Sequence, residues 1–169
     1  HDEEWGVPGH DDWKLFEMLI LECFQAGLSW ECVLNKRDAF REAFDGFDAE
    51  KVCVYKEEKL EALRNDPGII RNRLKIQAAV TNACAFLEIQ KEYNSFSGYI
   101  WHWTDGKVVC ETGRTSSELS DCISKDLKKR GMKIAVLSNK PHHATLDVIE
   151  SLFGKDYFDV VQGQVDGVP

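Results

Sequence analysis

Apolar residues recur at three- and four-residue spacing over residues 11–26, where Trp13, Leu15, Phe16, Leu19, Ile20, Cys23 and Phe24 follow an Asp-Asp start and precede Gly27. That pattern predicts an amphipathic helix with a side-chain N-cap and a glycine stop. Ser29 is placed to cap a second helix reaching about residue 44, with Trp30, Val33, Leu34, Phe40 and Phe44 on one side. Asp48 opens a short third helix, and residues 57–64 form a fourth. Pro67 and Gly68 then interrupt the period. It resumes over residues 73–93 on Ile76, Val80, Ala83, Cys84 and Leu87, so helix, tight turn, helix is expected. Further helices are expected over residues 98–103 and 117–130, on either side of a polar loop at 104–116. Beyond Gly131 the pattern changes: KIAVLSN and FDVVQGQ are strand-like runs that flank a helix over residues 142–153. The expected fold is mainly α with an appended partial β-α-β segment and a boundary near residue 132.

Composition narrows the class. The 169 residues are 43% hydrophobic and 30% charged, as in soluble globular proteins, and suffice for one domain or one domain plus a fragment. No apolar run approaches the ~20 residues that span a bilayer, and HDEEWGVPGHDDW lacks the features of a signal peptide. A cytoplasmic protein with no membrane partner is expected. The six cysteines are scattered without a C-x-x-C pair, which predicts buried free thiols rather than a disulfide framework or an all-cysteine metal site. A net charge of −8 opposes nucleic-acid binding on average, but charge acts locally. Arg64, Arg71, Arg73 and Lys75 bracket one turn, and Lys125, Lys128, Lys129, Arg130 and Lys133 crowd another stretch.

Three features carry candidate chemistry. Glu22 is embedded in MLILECF. A buried carboxylate is costly unless paired, so it either faces solvent or a nearby base, or lines a pocket for a cationic or hydrogen-bond-donating ligand. Of the five tryptophans, Trp30 begins a helix eight residues after Glu22, beyond the Gly27 turn, where both are able to face one cavity; aromatic residues also fill cores. GIIRNR, residues 68–73, is either an ordinary αα-hairpin or a phosphate-binding turn whose free N–H groups and helix dipole receive an anion.

HDEEWGVP, LFEMLILECFQAGLSW, VLNKR, the FD of FDAEKV, GIIRNRLKIQAAVTNA and SKDLKKRGMK resemble, in order and nearly in spacing, the type I DNA-3-methyladenine glycosylases, members of the helix-hairpin-helix glycosylase superfamily. The resemblance covers residues 1–133 and implies a helix-hairpin-helix DNA glycosylase-like helical domain. It further implies a base-excision repair enzyme that flips 3-methyladenine out of double-stranded DNA and hydrolyses its N-glycosidic bond. Glu22 then takes the catalytic and base-edge role, Trp30 stacks on the base, and Trp5 lines the same pocket. Gly68, Ile69, Ile70, Arg71 and Arg73 form the DNA-binding hairpin. The superfamily's usual Asp after the hairpin is missing from LKIQAAVTNA, and no Lys occupies an obvious nucleophile position, which implies a monofunctional enzyme without strand cleavage. Such enzymes act as monomers and need no organic cofactor.

Departures from the family define further expectations. Its structural zinc is held by four ligands, of which only His1 is present here, so the chain is not expected to hold zinc. The chain opens without Met inside a motif, which suggests an internal piece truncated at both ends. Residues 134–169 resemble a partial haloacid dehalogenase-type phosphatase core of the phosphoglycolate phosphatase kind, with Ser138 at its phosphate-binding position or merely capping the next helix. His142 and His143 read as a helix start, since adjacent helical residues diverge. The alternative to a glycosylase is thus a phosphatase-like fusion polypeptide whose helical part is a damage-binding module or an inactive scaffold. Apolar surface left uncovered by missing helices would favour self-association.

Overall fold

The first expected helix forms as α1 (Asp12–Gln25) in the computed structural model, which describes residues 7–109, 117–133, 135–153 and 158–164. Asp11 caps it, accepting from the Trp13 N–H at 3.0 Å. Gly27 follows its C-terminal end with φ +80°, a region open to a residue without Cβ. Asp12 has a different task. Its carboxylate accepts from the N–H groups of Phe96 and Ser97, each at 2.7 Å, and from Gln90 Nε2 at 2.6 Å. Those N–H groups are free donors in the first turn of α7 (Phe96–His102), whose Ser95 cap also accepts from Gly98 N–H at 2.8 Å. Helix α7 therefore starts two residues before its expected position, because part of its cap lies 84 residues upstream.

The expected second helix is two helices, α2 (Trp30–Leu34) and α3 (Arg37–Ala43). Lys36 leaves the helical region at φ −105° and ψ 2°, and its N–H bonds back three residues to Val33 at 3.0 Å. The break releases the Lys36 ammonium, which donates to the carbonyls of Pro67 at 3.2 Å and Gly68 at 3.1 Å. After a 3-10 turn (Asp45–Phe47) come α4 (Ala49–Cys53), capped by Asp48, then α5 (Glu57–Asn65) and α6 (Arg73–Tyr93). A reciprocal Ser117–Ser120 capping box opens α8 (Glu118–Lys129).

Helix α6 is the hub, packing on α1, α4, α5 and α7. Its stripe of Ile76, Ala79, Ala83, Phe86 and Ile89 is buried, and Phe86 stacks on Phe96 at 4.3 Å while meeting Phe16 at 4.9 Å. Phe24, Phe40 and Phe44 extend the same core. Beyond α8, Arg130 closes the bundle through Glu92 at 2.6 Å and Asp126 at 2.5 Å, with its guanidinium 5.3 Å from the Tyr93 and Tyr99 rings. Among the described residues no helix is long and apolar enough to cross a membrane.

One cysteine expectation is corrected. Cys53 and Cys84 form a disulfide between α4 and α6, while Cys23, Cys32 and Cys122 are free thiols. Bridging depends on a Cα–Cα approach of 4.9 Å, which helix packing creates and sequence spacing does not reveal. The bridge spans a sequence separation of 31 and encloses α5, the turn and the start of α6. Reduction, or Cys84→Ser, is expected to lower the unfolding free energy by about 3 kcal/mol. Denaturant midpoints measured with and without reductant check this, and an unchanged midpoint refutes it.

Residues 135–164 contain β1 (Ala135–Pro141), α9 (His142–Phe153) and β2 (Val160–Gln164). The strands pair in parallel, with Ala135 opposite Val160 and Leu137 opposite Gln162, and α9 lies in the crossover that parallel pairing demands. Lys133 joins this unit to the bundle. Its N–H donates to Asn82 Oδ1 at 2.8 Å and its ammonium pairs with Asp159 at 2.8 Å.

Candidate functional site

Two carboxylates on α1 have opposite surroundings. Glu17 shares the buried stripe of Ile20, Leu21 and Phe24 and is itself fully buried. Arg37 holds it with Nε at 3.0 Å and Nη2 at 2.9 Å, and Arg41 adds Nε at 2.7 Å. Burial alone would raise its pKa, but the two guanidiniums outweigh that and leave it lowered. This network escaped the sequence reading. The signal was present, since Glu17 stands three, four and seven residues before core positions of its own helix.

Glu22 lies in the last turn of α1, half-buried, and makes no hydrogen bond or ion pair among the described residues. Desolvation therefore acts on it unopposed and raises its pKa. Its neighbour Cys23 carries the strain in the same direction: burial, then the Glu22 charge, push the thiol up to about 11. Trp30 is the first residue of α2, half-buried and packed against the core, across the turn from Glu22. Helices α1 and α2 pack on each other, so the turn between them sets the relative placement of both side chains.

The expected hairpin joins α5 to α6. Asp66 Oδ1 accepts from Gly68 N–H at 2.7 Å, and Asn72 caps α6 by accepting from Lys75 N–H at 3.1 Å. A Cβ on Gly68 would come within 3.0 Å of Asp66 Oδ1 and 3.2 Å of Ala39 Cβ, so glycine lets the turn pack tightly against α3. Ile69 is buried, its side chain anchors the turn, and its N–H donates to the Asp66 carbonyl at 3.4 Å. Ile70 is half-buried, whereas Arg71 and Arg73 are exposed.

The basic cluster around this turn is smaller than its sequence suggests. Arg64 is held by Glu57 at 2.5 Å and Glu61 at 3.1 Å. Lys75 is buried, and its ammonium donates to the carbonyls of Phe24, at 3.0 Å, and Ala26 at the end of α1. Burial pushes its pKa down to about 8, while the facing Cys23 thiol favours the charge. The second cluster is likewise partly neutralised, through Arg130 and Lys133.

Lys36 and Lys75 thus tie the hairpin region to the α2–α3 junction and to the end of α1. Trp5 and His1 lie outside the described residues. Among the described residues, no three His, Cys, Asp or Glu side chains come together to hold a metal ion. These residues do not supply a closed tetrahedral site. Ser138 lies within β1.

Comparison with known proteins gives a consistent result. The profile of a family described as methyladenine glycosylase matches residues 1–138, five residues past the expected limit of the helical domain. The chain is 46% identical over 139 residues to DNA-3-methyladenine glycosylase 1 of Escherichia coli, covering 79% of this chain and 74% of that one. It is 42% identical over 137 residues to the DNA-3-methyladenine glycosylase of Haemophilus influenzae, with coverage of 78% and 74%. A crystal structure of 3-methyladenine DNA glycosylase I superposes with a TM-score of 0.73 at 45% identity, covering 79% of this chain and 76% of that chain. A structure of the Staphylococcus aureus enzyme, solved to explain 3-methyladenine recognition, does so with a TM-score of 0.71 at 37% identity, covering 76% and 72%.

Proposed function

Because the chain belongs to the methyladenine glycosylase family, we propose that it is a monofunctional DNA N-glycosylase that releases 3-methyladenine from alkylated double-stranded DNA, acting as a monomer. The main support is the extended similarity to enzymes of that name. The lesion itself determines what the protein must supply. A 3-methylated adenine on deoxyribose is cationic, so its C–N bond breaks with the bonding electrons neutralising the leaving base. Water then captures the sugar cation at C1′ and releases a proton. Little acid catalysis is needed. What remains is to extrude the weakened base, recognise its charge and shape, and hold it.

Glu22 supplies the charge: a half-buried carboxylate with no ion pair among the described residues attracts a cation strongly and accepts hydrogen bonds from the base edge. Trp30 supplies a face on which the base stacks, worth about 0.5–2 kcal/mol for a cation, and Trp5 completes the pocket. The hairpin holds the phosphate backbone through Arg71, Arg73 and the Ile70 N–H, while Asp66 engages the N–H groups of Gly68 and Ile69 and fixes the turn. Lys75, with its ammonium committed to two carbonyls, is not available as a nucleophile, which supports a monofunctional reaction. The test is release of free 3-methyladenine from methylated duplex DNA under single-turnover conditions; intact glycosidic bonds after prolonged excess enzyme would overturn the reading. Arg71→Ala and Arg73→Ala are each expected to weaken binding equally on any duplex and to reduce the slope of log K against log salt by about 1. Titrations at several salt concentrations measure it.

The parallel β1–β2 pair favours a second reading for residues 134–169, as a partial haloacid dehalogenase-type core with Ser138 at the phosphate position. In that reading the helical part is the DNA-damage module of a fusion polypeptide. Phosphate-ester hydrolysis by the full fusion polypeptide, lost on Ser138→Ala, would support it, and hydrolysis by that polypeptide unaffected by the substitution would dismiss it.

A further inference from the structure

Lys75 stands where a lysine is expensive. It is 8% exposed and has no carboxylate in ion-pair contact among the described residues. It also occupies the third position of α6, where the positive end of the helix dipole opposes a cation. A methionine of similar length would fill the same stripe, beside Ala79, Asn82 and Phe86, without that cost. What the ammonium contributes is directional. The carbonyls of Phe24 and Ala26 lie at the C-terminal end of α1, where helices leave acceptors unsatisfied and favour a cation.

The position of those carbonyls matters. Phe24 is two residues beyond Glu22, and Ala26 opens the turn that leads to Trp30. The main chain of Lys75 is held in turn by the hairpin, since Asn72 Oδ1 accepts from its N–H at 3.1 Å. Asn82, two turns further along α6, touches Cys23 Sγ through its Nδ2 at 3.8 Å. We propose that Lys75 is a positioning residue for base excision, a strut from the DNA-contacting hairpin to the α1–α2 turn that sets Glu22 and Trp30 in place. The proposal rests on the reading that these two residues bound the base pocket. By it, a hairpin seated on the phosphate backbone places the pocket at a defined height above the duplex. Loss of the strut leaves DNA binding intact and misplaces the pocket.

The experiment is a double-mutant cycle on the full chain, using Lys75→Met, Glu22→Gln and both together. It reads single-turnover release of 3-methyladenine from methylated duplex and the Kd for an undamaged duplex. Lys75→Met is expected to slow release about tenfold, because small misplacements of a reacting group are costly, while the undamaged-duplex Kd stays within about twofold. In the double variant the loss caused by Lys75→Met is expected to be smaller than in the parent, since part of the strut's action passes through that carboxylate. General loosening of the fold would instead weaken binding to undamaged DNA and slow release by the full factor in the Glu22→Gln background as well, and either result overturns the proposal. So does unchanged release by Lys75→Met alongside a slowed Glu22→Gln, which leaves the pocket assignment standing. Unchanged release by Glu22→Gln overturns the pocket assignment and the strut with it. If Lys75→Met fails to fold, Lys75→Gln, which keeps an N–H donor pair without the charge, takes its place in the same cycle.

Discussion

Glu22→Gln is expected to slow release of 3-methyladenine about 100-fold, the loss typical when one preorganised electrostatic partner of a reacting group is removed. The amide preserves shape and still accepts one hydrogen bond, so the change isolates the charge. Stability is expected to move the other way. Burial raises the folded pKa of Glu22, with no base among the described residues to compensate, so its ionisation is harder in the folded state than in the unfolded one. Its contribution to stability is greatest at acid pH and is lost as pH rises through the folded pKa. A neutral amide removes that cost, and thermal unfolding at neutral pH is expected to show a variant no less stable than its parent. The acid limb of release should lie above the ordinary carboxylate range and disappear in Glu22→Gln. An equally active variant, or one that unfolds early, would mark Glu22 as a structural residue.

Glu17→Ala is expected to behave in the reverse manner, costing about 3 kcal/mol of stability because it removes the buried carboxylate that Arg37 and Arg41 share, although Arg41 keeps Asp38 at 3.1 Å. For a chain of this size that corresponds to a fall in Tm of about 6–12 °C. The pH dependence has a definite sign. The guanidiniums lower the folded pKa of Glu17 below its unfolded value. The stabilisation is therefore complete above the unfolded pKa and is lost as pH falls through the folded one. Acid unfolding curves of parent and variant should converge at low pH and diverge toward neutrality, and curves that stay parallel would show that the network contributes nothing. Glu17 and Glu22 are five residues apart on one helix. One is satisfied and stabilises the fold, while the other has no hydrogen bond or ion pair among the described residues, as the proposed pocket role requires.

Local pattern was enough for most of the helical framework. Asp11, Ser29, Asp48, Asn72 and Ser117 all cap helices through their own side chains, because capping is a contact within three residues and is written locally. The hairpin was legible for the same reason, since Pro67 and Gly68 break the helical period whatever surrounds them. Strings of residues also carried the family, which periodicity alone would not have distinguished from any other helical bundle.

Long-range contacts decided the rest. The start of α7 depends on Asp12 and the α2–α3 break coincides with the grip of Lys36 on the hairpin. The Cys53–Cys84 bridge needs α4 packed on α6. Candidate chemistry divided along the same line. That a carboxylate in α1 calls for a partner follows from the sequence, because apolar periodicity marks it as near the core. Which carboxylate finds a partner, Glu17 with two arginines rather than Glu22, was settled by the placement of α3 against α1. Lys75 shows the same division: its sequence neighbours are basic and DNA-like, yet its ammonium points inward, because the unsatisfied carbonyls that end α1 come to rest beside it. Periodicity and capping are properties of neighbours along the chain, and so the sequence by itself determined the helices, the hairpin and the family. Charge satisfaction is a property of neighbours in space, and so only the tertiary structure decided which charges hold the fold and which are left for a ligand.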